Sequence, residues 1–179
     1  MANLIKAGGY AGIISPIIFA IFLAAAVYNY PSYNPTTNFL SDLGIGPSAV
    51  FFNSGVIIAG LLGILFSLAL YKKFNSKISR AGSILLVIGN IFLILVGIFS
   101  EQYGILHTII STLFFLFIIL SLLFIGAGSV KAKTGYGAFI AGLFIIGIFA
   151  FGINPIQEYL AVGTILVWSF AMGIHLLRL

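Results

Sequence analysis

Long apolar stretches alternate with short polar connections along the whole chain. Each stretch has about 20 residues, and together they cover residues 8–28, 49–71, 81–99, 105–126, 136–153 and 159–177. An α-helix of about that length crosses a hydrocarbon layer of about 30 Å. Helices satisfy their own backbone hydrogen bonds, which lipid cannot do for them. The pattern predicts an all-α, polytopic membrane protein in which residues 1–179 form one transmembrane domain, a six-helix bundle.

Composition also points to lipid as the main solvent. Hydrophobic residues make up 61% of the chain and charged residues only 6%, against about a quarter charged in ordinary soluble proteins. The absence of cysteine excludes disulfides, thiolate metal sites and cysteine nucleophiles. With only two histidines, the chain lacks the ligands for a common catalytic zinc site. We therefore expect no metal and no cofactor.

The basic residues all fall in connections on one side of the predicted bundle. This placement explains the net charge of +5 without a nucleic-acid partner, because basic connections mark the cytoplasmic side of a membrane protein. It predicts a protein of the cell membrane with both termini cytoplasmic and with three antiparallel helical hairpins. The basic residues are Lys6, Lys72, Lys73, Lys77, Arg80, Lys131, Lys133 and Arg178.

The acidic residues lie on the opposite side, which the same rule makes the outer side. Asp42 lies in the first outer connection, residues 29–48, and Glu101 lies in the second. Glu158 lies in the third, and His107 is near the start of the fourth span. If the outer connections converge, they form a polar pocket that binds a ligand. Its expected members are Asn38, Ser41, Asp42, Asn53, Glu101, Gln102, Tyr103, His107 and Glu158.

A simpler interpretation of these residues needs no ligand. Each acid precedes or opens a helix, where the positive end of the helix dipole favours an anion. Asn154, Pro155 and Gln157 have the pattern of an N-cap, a first-turn proline and a capping-box partner. His107 is then an interfacial hydrogen-bonding residue, and Asn90, in the middle of the third span, needs a partner on another helix.

Small residues recur at the spacing of close helix contacts on three of the predicted spans. Such residues let helix backbones approach one another in a membrane. We expect this packing inside the bundle, although self-association uses the same physics. The residues are Gly8 and Gly12, then Gly55, Ala59 and Gly63, and finally Ala138 and Gly142.

A set of short motifs runs through the first two thirds of the chain. They are Ser41-Asp42-Leu43-Gly44, Phe52-Asn53 followed by Gly60, Val96-Gly97-Ile98-Phe99, and His107. In this combination the chain resembles DUF998, a family of integral membrane proteins with no established activity. The resemblance covers roughly residues 38–126 and extends to the whole chain in length and span count. It implies a six-helix architecture and includes Ser41, Asp42, Glu101 and His107 among the family's characteristic elements. Ser100 and Glu101 stand where the family has a proline and a nearby acid.

These patterns favour a non-catalytic binding or accessory component with a polar site at the outer face. Its partners would be the lipid bilayer and a small ligand, a lipid headgroup or another membrane protein. One alternative is an outward-facing, hydrolase-like enzyme that acts on a lipid or small ester, with Asp42, Glu101 and His107 as catalytic candidates. A second alternative is a facilitative transporter or channel, although no span carries a charged residue near its centre. The sequence leaves open whether the chain is an enzyme.

Overall fold

The part of the chain that the structure describes folds into six α-helices joined by connections. The computed structural model describes residues 2–129, 133–150 and 152–178. The helices are α1 (Ala2–Tyr28), α2 (Ala49–Lys73), α3 (Lys77–Ile98), α4 (Ile105–Ser129), α5 (Lys133–Ala150) and α6 (Pro155–Leu177). Two short 3-10 turns, Ser41–Gly44 and Gly46–Ser48, lie between α1 and α2, and a third, Glu101–Tyr103, lies between α3 and α4. The described residues contain no β-strand, and the predicted all-α class is confirmed.

Five of the helices, α1, α2, α3, α4 and α6, are long and apolar enough to cross a membrane. These helices give the chain the character of a multi-pass membrane protein. The apolar part of α5 is shorter and runs over Gly135–Ala150. The predicted fifth span, residues 136–153, extends past the end of this helix at Ala150, and residue 151 lies outside the described part of the chain.

The helices form a closed ring. Each helix packs against its neighbour in the sequence, and α6 packs against α1. Glycines mark the close contacts: a Cβ on Gly8, at the start of α1, would overlap Ala69 near the end of α2. A Cβ on Gly9 would meet the end of α6, and one on Gly128, near the end of α4, would overlap Ser79 near the start of α3. The start of α1 therefore lies beside the ends of α2 and α6.

Close packing at the predicted small residues is confirmed on α1 and α2. A Cβ on Gly12 would lie 2.8 Å from the Phe66 ring, and one on Gly63 would overlap the amide of Asn90. Contacts this short are not available to a residue with a side chain, so these glycines set the distance between the helices.

Asn90 finds the partner helix that its position in the third span requires. Its Nδ2 donates to Ser67 Oγ on α2 at 3.3 Å and to Leu86 O on its own helix at 2.8 Å. A buried amide in a membrane helix is costly without such bonds. Asn90 therefore ties α3 to α2, as predicted.

Charged residues lie at the two ends of the ring. Asp42, Glu101 and Glu158 lie close enough together for their charges to interact, and we call their end of the bundle the acidic end. Lys73 and Arg178 both lie close enough to His175 to act on its charge. Lys73 and Arg178 lie at the same end of the bundle as the starts of α1 and α3. This end is opposite the acidic end, and we call it the basic end. Lys131 lies outside the described residues.

Candidate functional site

The first connection folds back over the acidic end and is held there by side chains. Leu40, which precedes the 3-10 turn at Ser41–Gly44, is 2% exposed, and Leu43 within this turn is 0% exposed. Tyr33 Oη donates to Phe39 O at 3.0 Å and also bonds to Tyr159 on α6. Burial and this second bond raise the pKa of Tyr33 well above its usual value, so it stays a neutral donor. The connection is a fixed part of the site.

Two of the acids hold the backbone of this connection. The Asp42 carboxylate accepts hydrogen bonds from Asn38 Nδ2 at 2.9 Å and from Phe39 N at 3.1 Å. Glu158, on α6, accepts from Leu40 N at 2.6 Å. Glu158 therefore bonds to the connection across the bundle rather than to the amides of its own helix.

The third acid, Glu101, forms a carboxyl pair with Asp42. The two carboxyl groups lie close enough for their charges to interact, and both line the same cavity beside Tyr30 and Ile45. Burial and the nearby carboxyl groups of Asp42 and Glu158 raise the pKa of Glu101 to about 7. The three acids converge, and near neutral pH this end of the protein holds a proton that an isolated carboxyl would release.

His107 lies one turn into α4 and is 6% exposed. Its Nδ1 lies 2.8 Å from Phe99 O, and its Nε2 lies 3.2 Å from Ser111 Oγ. A carbonyl oxygen can only accept, so the proton is on Nδ1 and the free pair of Nε2 faces the Ser111 hydroxyl. The ring nitrogens thus bond to a backbone carbonyl and a serine, and not to Asp42 or Glu101.

Three of the expected site residues form no hydrogen bond to the acids within the described part of the chain. Asn53 Nδ2 donates to Gly44 O at 3.1 Å, and its buried Oδ1 has no hydrogen-bond partner among the described residues. Tyr103 is 49% exposed and packs edge-on against Phe99, and Gln102 is exposed. The structure groups the remaining members around one region: Asn38, Ser41, Asp42, Glu101, His107 and Glu158.

A lateral groove of about 440 Å³ opens beside these residues, between α4 and the end of α5. It follows α4 from His107 to Ile119, a distance of about 18 Å at the helical rise of about 1.5 Å per residue. Along α4 its lining changes from polar side chains within residues 107–112 to apolar ones within residues 115–119, and Phe39 and Ile153 add apolar side chains at the acidic end. The polar lining consists of Ser41, Glu101, His107, Thr108, Ser111, Thr112 and Glu158, and the apolar lining of Phe39, Phe115, Leu116, Ile119, Phe149 and Ile153.

A smaller cavity of about 80 Å³ lies inside the helix ring. Side chains of α1, α2, α3, α4 and α6 line it, and nearly all of them are apolar. Ser41, Ser111, Phe115 and Glu158 line both this central cavity and the lateral groove. These four side chains therefore form the wall between the two spaces.

The groove is also lined by three hydroxyl residues that were not predicted as site residues: Thr108, Ser111 and Thr112. The sequence did contain a signal for Ser111. It follows His107 by one helical turn on a predicted span, and residues at that spacing share a helix face. The described residues contain no group of three or more metal-ligating side chains that could hold an ion. The site therefore offers hydroxyls, carboxyls and one imidazole to a ligand.

Comparison with known proteins gives a family. The family model described as Protein of unknown function (DUF998) matches residues 13–175, which include every residue of the lateral groove. The resemblance found in the motifs is confirmed. No curated protein and no solved structure matches the chain.

Proposed function

The chain belongs to the DUF998 family of proteins of unknown function, and on this premise we propose that it binds an amphipathic, lipid-like molecule in its lateral groove. The binding site would open at the outer face of the cell membrane. The observation that carries this proposal is the change in the groove lining along α4, from the imidazole and hydroxyls within residues 107–112 to the aromatic and aliphatic side chains within residues 115–119. A molecule with a polar head and a hydrocarbon tail matches both parts.

The proposed sidedness rests on the basic end. Lys72, Lys73, Lys77 and Arg80 flank the connection between α2 and α3, and Arg178 follows α6. Such residues favour the cytoplasmic side, so both termini would be cytoplasmic and the acidic end would face outward.

This arrangement requires six membrane spans. Five are the long apolar helices, and the shorter helix α5 would be the sixth. The end of α4 lies at the basic end beside α3, whereas α6 starts at the acidic end, where Glu158 bonds to Leu40. The chain between them must travel from one end to the other, and α5 is the helix that lies there. Its residues Lys133–Ala150 cover about 27 Å at about 1.5 Å per residue, close to the hydrocarbon thickness of about 30 Å. A small mismatch of this kind is accommodated by local thinning of the bilayer.

The polar head of the ligand should carry hydrogen-bond donors or a positive charge. The groups that act on Glu101 are Asp42 and Glu158, both of them acids, so the head region has a negative potential. An ammonium or hydroxyl group suits such a lining, whereas a bare anion would be repelled.

The transporter alternative receives less support. A carrier for polar molecules needs polar groups along its path, because unsatisfied polar groups are costly in a dry interior. Below Glu158, Phe19, Phe52, Val56 and Ile165 line the central cavity. This lining favours retention of a hydrocarbon chain over passage of a polar solute.

A photoactivatable phosphatidylethanolamine with a diazirine on one acyl chain tests the proposed binding. The purified protein in lipid nanodiscs should crosslink mainly on peptides that carry Phe115, Leu116 and Phe149. Thr112→Trp, which fills the groove, should reduce this crosslinking severalfold. Ile109→Trp is the matched control, because Ile109 is 51% exposed on the same helix but does not line the groove. Crosslinks spread evenly over the lipid-facing helices, and unchanged in Thr112→Trp, would contradict the proposal.

A further inference from the structure

The contact between Ser111 and His107 is not explained by ligand binding. A nucleophilic hydroxyl, a base within hydrogen-bond reach and a third group that orients the base are the parts of an activated serine. Ser111 Oγ lies 3.2 Å from His107 Nε2, and Phe99 O, at 2.8 Å from Nδ1, fixes the proton on the far side of the ring. The free pair of Nε2 is thereby held toward the hydroxyl, as a general base requires.

Other hydroxyls on the helices behave differently. A serine or threonine inside a helix usually donates to the carbonyl four residues earlier. Ser67, Ser83 and Thr164 do so, at 2.6, 2.9 and 2.7 Å. Thr112, next to Ser111, donates to Thr108 O at 2.8 Å. Ser111 instead bonds to the imidazole, so its geometry is not the ordinary way in which a helix hydroxyl is satisfied.

Ser111 also occupies a place that a substrate can reach. It is half-buried and belongs to the wall between the lateral groove and the central cavity. An ester carbonyl bound there would have its polar head toward Glu101 and its hydrocarbon toward Leu116 and Ile119. Head, linkage and tail would then follow the change from polar to apolar lining.

We infer that Ser111 and His107 form a nucleophile–base pair that cleaves an ester bond of an amphipathic substrate in the lateral groove. This inference rests on the proposed binding function and adds a reaction to it. The substrate class is an acyl ester in which a hydrocarbon chain is joined to a polar alcohol.

The step balances with water as the co-reactant. Ser111 Oγ attacks the ester carbonyl carbon, and its proton passes to His107 Nε2. The bond to the alcohol breaks, the alcohol leaves with the proton from Nε2, and an acyl-serine remains. Water then attacks the acyl-serine and gives one proton to Nε2. As the bond between the acyl carbon and Ser111 Oγ breaks, Oγ takes this proton from Nε2, and the carboxylic acid and free Ser111 are released. The acid later loses its proton to solvent.

Neighbouring groups stabilise the charges that form during the reaction. Each proton transfer makes an imidazolium, and the carboxyl groups of Glu101 and Glu158 in the same lining stabilise that positive charge when ionised. The Ser41 hydroxyl, which lines both spaces, is an uncharged donor for the oxygen that becomes negative.

An alkyl fluorophosphonate, which phosphorylates activated serines, tests the inference directly. The purified wild-type protein should be labelled on the peptide that contains Ser111. Thr164→Ala removes a helix hydroxyl that does not line the groove, so this variant should be labelled at the same rate. Ser111→Ala should not be labelled. His107→Asn keeps a donor near the position of Nδ1 but has no base, so its labelling should slow by about 100-fold or more. No labelling of the wild type, or equal labelling of Ser111→Ala, would overturn the inference.

The photocrosslinking result separates the two proposals. Crosslinking in the groove without labelling of Ser111 would leave the binding function standing and remove the reaction. Without groove crosslinking, the binding function itself would fail.

A cysteine at position 111 gives a readout that does not depend on a substrate. The chain has no other cysteine, so Ser111→Cys would carry a single thiol. If Nε2 withdraws the proton, this thiol should react with iodoacetamide at pH 7 about tenfold faster than the same thiol in Ser111→Cys/His107→Asn. Equal rates would show that the imidazole does not activate position 111 and would overturn the inference.

Discussion

Glu101 owes its raised pKa to burial and to two acidic neighbours that lie far away in the sequence. Asp42 lies in the first connection and Glu158 lies on α6, and their charges add to the effect of burial. Together they raise the pKa of Glu101 from 4.5 to about 7. Its charged form is therefore disfavoured in the folded protein relative to the unfolded chain.

This shift predicts a pH dependence of stability. The folded state holds a proton on Glu101 that the unfolded state releases between pH 4.5 and about pH 7. Stability should therefore fall as the pH rises through that interval. In Glu101→Gln the fall should be smaller, whereas Gln102→Ala, an exposed neighbour in the same turn, should keep the wild-type slope. Melting temperatures in detergent between pH 4.5 and pH 8 measure this, and identical slopes for wild type and Glu101→Gln would contradict the assigned environment.

Single residues were predicted from the sequence where their role is local. The capping box at the start of α6, with Asn154, Pro155 and Gln157, is confirmed because its bonds lie within one turn. The carboxyl pair of Asp42 and Glu101 could not be predicted as a contact, since it depends on how two connections fold over the bundle. Whether the expected site residues bind a ligand stays a prediction.

At the scale of the helices, glycines distinguish packed faces from open ones. Gly63 on α2 leaves no room for a Cβ because the Asn90 amide of α3 occupies that space. Gly163 on α6 has nothing within 4 Å of the corresponding position. Both lie inside helices, so they share the backbone cost of glycine and differ in their surroundings.

The two glycines form a matched pair for mutation. Gly63→Ala should destabilise the protein by about 1–3 kcal/mol, the usual cost of overpacking, because either Asn90 or α3 must shift. Gly163→Ala should be neutral or stabilising by about 0.4–1 kcal/mol, since an alanine restricts the unfolded chain. Denaturation of both variants in the same detergent compares them. Equal losses of stability, or no loss in Gly63→Ala, would refute the α2–α3 contact.

The apolar pattern predicted the positions of the helices well, but it predicted their ends less accurately. Apolar runs report the part of a helix in lipid, whereas the helix continues into its polar flanks; α1 begins at Ala2 although the first predicted span began at residue 8. The 3-10 turns that carry Ser41 and Asp42 have too few residues for a periodic signal. The lateral groove requires the relative positions of α4, α5 and the first connection, which no single segment specifies.

At the scale of the whole molecule, the account depends on the separation of charge along the bundle. The sequence predicted that separation by counting connections, and a wrong number of spans would have mixed the two signs. In the structure the acids converge at one end, and Lys73 and Arg178 lie near His175 at the other. Closure of the ring by α6 on α1 could not be foreseen, because any compact arrangement of apolar helices fits the same pattern.

Labelling of single cysteines on intact cells tests the central claim, that the acidic end and its groove face outward. The chain has no native cysteine, and Thr36 near the acidic end and Asn75 at the basic end are both exposed. A membrane-impermeant maleimide should label Thr36→Cys on intact cells and should label Asn75→Cys only after the cells are opened. Labelling of Asn75→Cys on intact cells, or protection of Thr36→Cys until they are opened, would contradict the proposed sidedness and with it the outward-facing site.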